Sequence, residues 1–188
     1  MNLASNYTCS TYQKRLHILI EGDNDKDFFD KIIKPLFWGK YRLVILWKYG
    51  KQSKEKINNY IVNNIDKEND DCIFVTDSDA SPSKRLEEYD SIRDQNRIIE
   101  VVKEIESWYI AGLTNERCKK LGFTSPDTTD DLGKGRFKEF SKISGFRSPE
   151  AFMQENLKDF DIETAKRRNA SFKYFIDNFV FNCIYEKN

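Results

Sequence analysis

Four short apolar runs punctuate the first half of the chain: RLHILIE at 15–21, YRLVILWKY at 41–49, DCIFVTD at 71–77 and NRIIEVVKE at 96–104. Each is rich in β-branched and aromatic residues and is bounded by polar or glycine-containing turns, which predicts strands. Their near-continuous apolarity predicts strands buried on both faces. Between the first two, DKDFFDKIIKPLF places Phe28, Phe29, Ile32, Ile33 and Leu36 at helical spacing, and SKEKINNYIVNNI does the same with Ile57, Tyr60, Ile61 and Ile65. PSKRLEEYDSIRD forms a third, more polar connection. Strands alternating with helices predict right-handed βαβ units, hence an α/β, Rossmann-like fold with a mainly parallel four-stranded sheet and helices on both faces.

The second half has a different pattern. SWYIAGL opens a helix directly after the fourth strand, and TNERCKKLGFTSPDTTDDLGKG, rich in Gly, Pro, Thr and Asp, reads as a loop or linker. Helical stretches follow: FKEFSKIS, then SPEAFMQENLKDF with Ser148 as N-cap and Pro149 in the first turn, then DIETAKRRNASFKYFIDNFVF. The expected organisation is an α/β core over 13–114 and a linker with a helical C-terminal extension over 115–188, packed on the core as one structural unit.

Composition narrows the class. Of 188 residues 39% are hydrophobic and 14% aromatic, enough for a core, so the 33% charged content describes a globular surface. The 31 basic and 31 acidic side chains cancel, and any nucleic-acid contact needs local segregation of charge. Cys9, Cys72, Cys118 and Cys183 form no CxxC or Cys/His cluster, and His17 is the sole histidine, which argues against structural zinc and imidazole chemistry. Scattered thiols suit a reducing cytoplasm. No apolar run approaches the ~20 residues that span a bilayer, and MNLASNYTCSTYQKR lacks the apolar core of a secretion signal. The expected location is cytoplasmic, without a membrane partner.

Candidate chemistry gathers at the strand ends. Glu21 closes the first strand; Asp77 closes the third with Asp79 just beyond; Glu104 closes the fourth with Glu106 nearby. In open parallel sheets the functional crevice lies outside the carboxyl ends of the strands. Each acid alone has an ordinary explanation as a turn or surface residue. Together they repel one another, divalent cations relieve that repulsion, and hard oxygen donors favour Mg²⁺ or Mn²⁺.

The neighbouring turns add material. In EGDNDKDFF, Gly22 permits a tight turn and Asn24 can cap the following helix, while Asp25 either projects into the site or places favourable charge in a first helical turn. KYGKQSK offers Gly50, Lys51, Ser53 and Lys54 either as a phosphate site or as a solvated basic turn. LGKGRFK fails as a Walker loop, since no Ser or Thr follows Lys134 and no strand precedes it; no GxGxxG follows any strand either. Trp108 and Tyr109 can stack a base, but an aromatic pair opening a helix beneath a sheet reads first as core.

Glu21-Gly22 after the first strand, Asp77-x-Asp79 after the third and a further acid after the fourth resemble the TOPRIM superfamily, the catalytic domain shared by topoisomerases, primases, OLD-family nucleases and ribosomal-RNA maturases. DSDASPSKR resembles the family's Asp-x-Asp-x-x-Gly-x-x-x-Arg pattern, with Pro82 at the glycine position. The closer likeness is to small stand-alone TOPRIM-like proteins related to OLD nucleases, in which Glu-x-Glu-x-Trp follows the fourth strand and Ser-Phe-x-x-Phe falls in a terminal helix. Here these are Glu104, Glu106 and Trp108, and Ser171, Phe172 and Phe175. The likeness covers nearly the whole chain through short motifs.

The resemblance implies a site for two ions of Mg²⁺ or Mn²⁺. Asp77 and Asp79 would hold metal, Glu21 would ligate metal or move a proton, Glu106 would match the later acid with Glu104 as the alternative, and Asp25 would match an acid early in the first helix. The implied reaction is hydrolysis of phosphodiester bonds in DNA or RNA, in a bacterial defence or toxin-like setting that involves a partner protein encoded nearby. Lys51, Lys54, Lys84 and Arg85 would contact phosphates, joined more loosely by Lys166, Arg167, Arg168 and Lys173, against the plain alternative of solvated helix faces. No tyrosine can be placed as a topoisomerase nucleophile, and strand-gating domains are not expected. Charge neutrality and Pro82 suggest an alternative function, a non-cleaving nucleotide or nucleic-acid binding and regulatory module.

Overall fold

The computed structural model describes residues 13–77, 98–101 and 103–181. Asp79, Lys84 and Arg85, together with Pro82, lie outside the described residues. Four strands form one all-parallel sheet: β1 (Arg15–Ile20), β2 (Leu43–Lys48), β3 (Asp70–Asp77) and β4 (Ile98–Val101), in the order β2-β1-β3-β4. The α/β class expected from the alternation is the one observed. The chain steps from β1 to one side and then returns to the other, so the topological switch lies between β1 and β3, where ligand crevices form in open sheets. Leu19 is level with Phe74, so the chain reaches Glu21 and Asp77 at nearly the same height.

Side-chain alternation divides the core. Leu16, Ile18 and Ile20 of β1 and Ile73 and Val75 of β3 enter the larger cluster, whereas Leu19 and Phe74 face the smaller one. Helix α1 (Asp23–Phe28) runs on through a π turn (Phe29–Ile33) and a 3-10 turn (Lys34–Phe37), in which Pro35 offers no amide to continue an α ladder. It covers the larger face. Helix α2 (Lys54–Asn64) covers the other, setting Ile57, Tyr60 and Ile61 against Leu19, Tyr49 and Phe74. His17 is buried beside α2, with Nδ1 3.1 Å from the Tyr60 hydroxyl.

After β4 comes α3 (Glu106–Ala111), within the core as expected, and the extension then contains α4 (Asn115–Lys120), α5 (Lys134–Ile143), α6 (Pro149–Asn156), α7 (Ile162–Arg168) and α8 (Ala170–Phe175), the last continuing as a π turn (Ile176–Phe181). Two features differ from the sequence reading. Helix α4 occupies the start of the stretch read as linker; the Thr114 hydroxyl accepts the Arg117 amide at 3.2 Å, and buried Cys118 anchors the turn. The last helix is broken at Asn169, whose extended backbone (φ −135°, ψ 116°) ends α7 while its Oδ1 accepts the Phe172 amide at 2.9 Å and caps α8. The Ser148 cap of α6, by contrast, stands as expected, accepting the Ala151 amide at 3.2 Å.

The extension packs on α1 around Trp108, which has no solvent exposure. Its ring lies 5.7 Å from Phe28, 5.1 Å from Phe172 and 5.7 Å from Phe175. Trp108 Nε1 donates to Ser171 Oγ at 2.9 Å, Ser171 donates on to Asn169 Oδ1 at 2.8 Å, and Asn169 Nδ2 reaches Thr129 Oγ1 at 3.0 Å. The EIESW and SFKYF segments thus meet as two halves of one buried contact. Trp108 and Tyr109 are core residues with no face left for a base, and the Tyr109 hydroxyl donates to the Asn24 carbonyl at 2.7 Å, tying α3 to α1. No described helix is long and apolar enough to cross a membrane.

Candidate functional site

A cleft of about 320 Å³ opens at the carboxyl edge of the sheet and is lined by Glu21, Asp25, Asp77 and Glu106, with Asp23 and the basic Lys134 also contributing. Local structure fixes each acid. Glu21 follows β1, and its carbonyl accepts the Gly50 amide at 2.9 Å. A Cβ on residue 50 would stand 2.4 Å from that oxygen and 2.9 Å from Glu21 Cγ, so only glycine lets the exit of β2 press so close. Asp77 is the last residue of β3. Asp25 is buried in the first turn of α1, and its Oδ2 accepts the Gly22 amide at 2.8 Å. Glu106 opens α3 and is 3% exposed. Ahead of it Lys103 adopts φ +61°, a left-handed conformation that L-residues other than glycine seldom take, as the chain turns out of β4.

The electrostatics follow from crowding in poor solvent. Burial first, then the charges of Asp25, Glu21 and Glu106, push the Asp77 carboxyl up to about 8. Burial likewise pushes Asp25 up to about 6 in spite of the Gly22 amide, and it raises Glu106. Glu21 Oε2 and Glu106 Oε2 are both buried and have no hydrogen-bond partner among the described residues. Buried carboxylate oxygens are costly to leave unsatisfied, and an all-oxygen donor set with two such orphans fits a hard divalent cation. Among the described residues, no group of three or more His, Cys, Asp or Glu side chains is close enough to hold an ion by itself. Asp79, which completes the expected set, is outside those residues.

Several expected residues stand elsewhere. Glu104 does not line the cleft: Oε2 accepts the main-chain amide of Lys134, and Oε1 lies 2.9 Å from its Nζ. Lys51 and Lys54 are exposed and outside the lining, and Gly50, read beside them as part of a phosphate turn, is pressed against Glu21 instead. Asn24 sits within the first turn of α1, whose N-cap position belongs to Gly22. Lys166 and Lys173 pair with Asp177, at 2.8 and 2.6 Å, and Arg168 donates to the Leu113 carbonyl and to Asn115, so these cations bind the extension together. No sequence motif marks Lys134, since LGKGRFK fails as a Walker loop. Its available signal was position: a lysine between two glycines, immediately before the apolar periodicity of α5.

No protein-family model matches the chain, and neither a curated protein nor a solved structure is significantly similar to it.

Proposed function

We propose that the chain is a divalent-metal-dependent nuclease that hydrolyses phosphodiester bonds of DNA or RNA, a TOPRIM-like protein related to the OLD nucleases. The observation that carries this reading is the meeting of four carboxylates at the β1/β3 switch point, two of them with buried oxygens that have no partner among the described residues. Glu21, Asp77 and Glu106, with Asp25 behind them and Asp79 by resemblance, would hold Mg²⁺ or Mn²⁺. Bound there, the metal supplies Lewis-acid stabilisation of a phosphoryl oxygen and a water acidic enough to attack near neutral pH.

The chain's own residues prepare that chemistry. Burial and the neighbouring acids push the Asp77 carboxyl up to about 8, and positive charge entering the cleft would draw it back down. The amide of Gly22 orients the Asp25 carboxylate, and the anchoring of Trp108 fixes the helix from which Glu106 projects. Lys134, in the lining, can donate to a non-bridging phosphate oxygen. A second reading, a non-cleaving binding or regulatory module, is favoured by one observation, that the described residues alone assemble no three-donor group.

Incubation with single-stranded DNA, duplex DNA and RNA in Mn²⁺ or Mg²⁺, with and without the products of neighbouring genes, separates the two. Metal-dependent cleavage abolished by Asp77→Asn supports the nuclease. Failure to cleave under every condition, with nucleotide binding that survives Asp77→Asn, supports the module and overturns the nuclease.

A further inference from the structure

Lys103 and Glu104, just ahead of α3, grip a segment 28 and 30 positions further along the chain. Glu104 holds Lys134 at two points, accepting its main-chain amide on Oε2 and its ammonium on Oε1 at 2.9 Å. Its neighbour Lys103 donates to the Asp131 carbonyl at 3.0 Å, and the same ammonium lies 3.9 Å from the Asp131 carboxylate. The end of β4 is thereby joined, by residues 103 and 104, to the loop and first turn of α5. The Glu104 side chain is only 13% exposed, so its pairing is partly withdrawn from water, whereas the Lys134 side chain is 55% exposed.

This asymmetry bears on the cleft. A lysine side chain that is more than half exposed has many rotamers open to it, and aiming it in one direction carries an entropic cost. The main-chain bond to Glu104 sets where α5 begins, and the side-chain bond aims the ammonium. Among the described residues Lys134 is then the basic side chain of a lining that carries the carboxylates of Glu21, Asp23, Asp25, Asp77 and Glu106, while Glu104 stands outside that lining.

We propose that Glu104 is a positioning residue rather than a metal ligand: by clasping Lys134 at two points it holds the first turn of α5 over the acidic cleft and keeps the Lys134 ammonium ready for a substrate phosphate. The helical extension then contributes to the site as well as packing on the sheet. This role rests on the nuclease reading above. It assigns different work to the two glutamates of EIESW, with Glu106 facing the cations and Glu104 acting through Lys134.

Wild type, Glu104→Gln, Lys134→Gln, the double variant and Glu106→Gln separate the possibilities through three readouts: Mn²⁺ titration by calorimetry, kcat and KM for cleavage, and the rate at which acetic anhydride labels Lys134, read by mass spectrometry. Glu104→Gln should label Lys134 faster and keep Mn²⁺ affinity within about threefold of wild type, while Glu106→Gln loses it. Its kcat should fall about tenfold or more with a smaller change in KM, and the double variant should be no slower than Lys134→Gln alone. Loss of Mn²⁺ binding in Glu104→Gln to the extent seen in Glu106→Gln would overturn the role, as would unchanged labelling, a wild-type kcat, or additive losses in the double variant. A wild-type protein that neither binds Mn²⁺ nor cleaves brings down the nuclease reading and this role with it; a wild type that cleaves beside an unaffected Glu104→Gln brings down this role alone.

Discussion

Gly50→Ala places a methyl group where Glu21 already stands. The added Cβ would lie 2.4 Å from the Glu21 carbonyl oxygen, 2.9 Å from Cγ and 3.2 Å from the carbonyl carbon, against an unstrained separation of roughly 3.5 Å. Gly50 is not among the glycines with positive φ, so the cost comes from contact and not from backbone conformation. The nearest atom, the Glu21 carbonyl oxygen, is main chain and cannot swing aside. Relief requires the exit of β2 to move away from β1, which stretches the 2.9 Å bond from the Gly50 amide to Glu21. Overpacking of this kind costs about 1–3 kcal/mol, which for a chain of this size lowers Tm by about 3–10 °C. Because the clash falls on Glu21 itself, Mn²⁺ affinity should drop with stability, by about tenfold. The control is Gly135→Ala in α5, where a Cβ meets nothing within 4 Å and stability should rise by about 0.5–1 kcal/mol. Calorimetric unfolding and Mn²⁺ titration on the same preparations give both numbers. A Gly50→Ala protein with wild-type Tm and wild-type Mn²⁺ affinity would refute the idea that this contact sets Glu21.

Other substitutions probe the remaining links. The Asp77 carboxyl, raised from the ordinary 3.8 to about 8, contributes stability that is complete below the unfolded value and is lost as pH rises through 8. Metal-free wild type should therefore melt lower at pH 8 than at pH 5, and Asp77→Asn should be the more stable at pH 8 by roughly 1–3 kcal/mol once solvent at the cleft mouth is allowed for; equal melting curves at pH 8 would count against the crowding. Ser171→Ala leaves Trp108 Nε1 buried without its acceptor and should cost about 1–3 kcal/mol in urea unfolding, and a loss under 0.5 would mean that the contact is dispensable. At the opposite edge of the sheet, burial pushes Asp70 up, but the two Arg15 hydrogen bonds at 2.7 and 2.5 Å and the Asp66 amide outweigh it and hold the carboxyl below its ordinary value. That stability is present above the unfolded pKa and is lost as pH falls through the folded one. Asp70→Asn should therefore be destabilised at pH 6, with the gap to wild type closing as the solution is acidified below about 4; a pH-independent gap would show the pair to be uncharged in effect.

The sheet was legible because β1 and β3 are apolar on both sides and end abruptly in acids, a pattern local enough to read from a few consecutive residues. The acids themselves needed one step of topology: Glu21 and Asp77 are 56 positions apart in the chain but leave adjacent central strands. Where two roles coincide in one residue, the sequence could only offer alternatives. Asp25 both takes the Gly22 amide and lines the cleft. Tertiary placement stayed hidden. Lys134 reaches the site from another helix through a contact with Glu104, and no local spacing encodes that meeting. Gly50 suggested a phosphate turn because glycine and lysine stand together there, when its lack of a side chain answers to Glu21. Helix α4 was masked by the Gly- and Thr-rich residues that follow it, and the break at Asn169 by an apolar stripe that continues on both sides.

The central claim is that the acidic cleft holds catalytic divalent cations. Calorimetric titration of Mn²⁺ into wild type and into Glu21→Gln and Asp77→Asn, with cleavage of single-stranded DNA, duplex DNA and RNA followed on the same samples, tests it most directly. The account predicts saturable Mn²⁺ binding and cleavage in wild type, with both lost in each variant; a wild type that takes up no Mn²⁺, or variants that bind and cleave as wild type does, contradicts it.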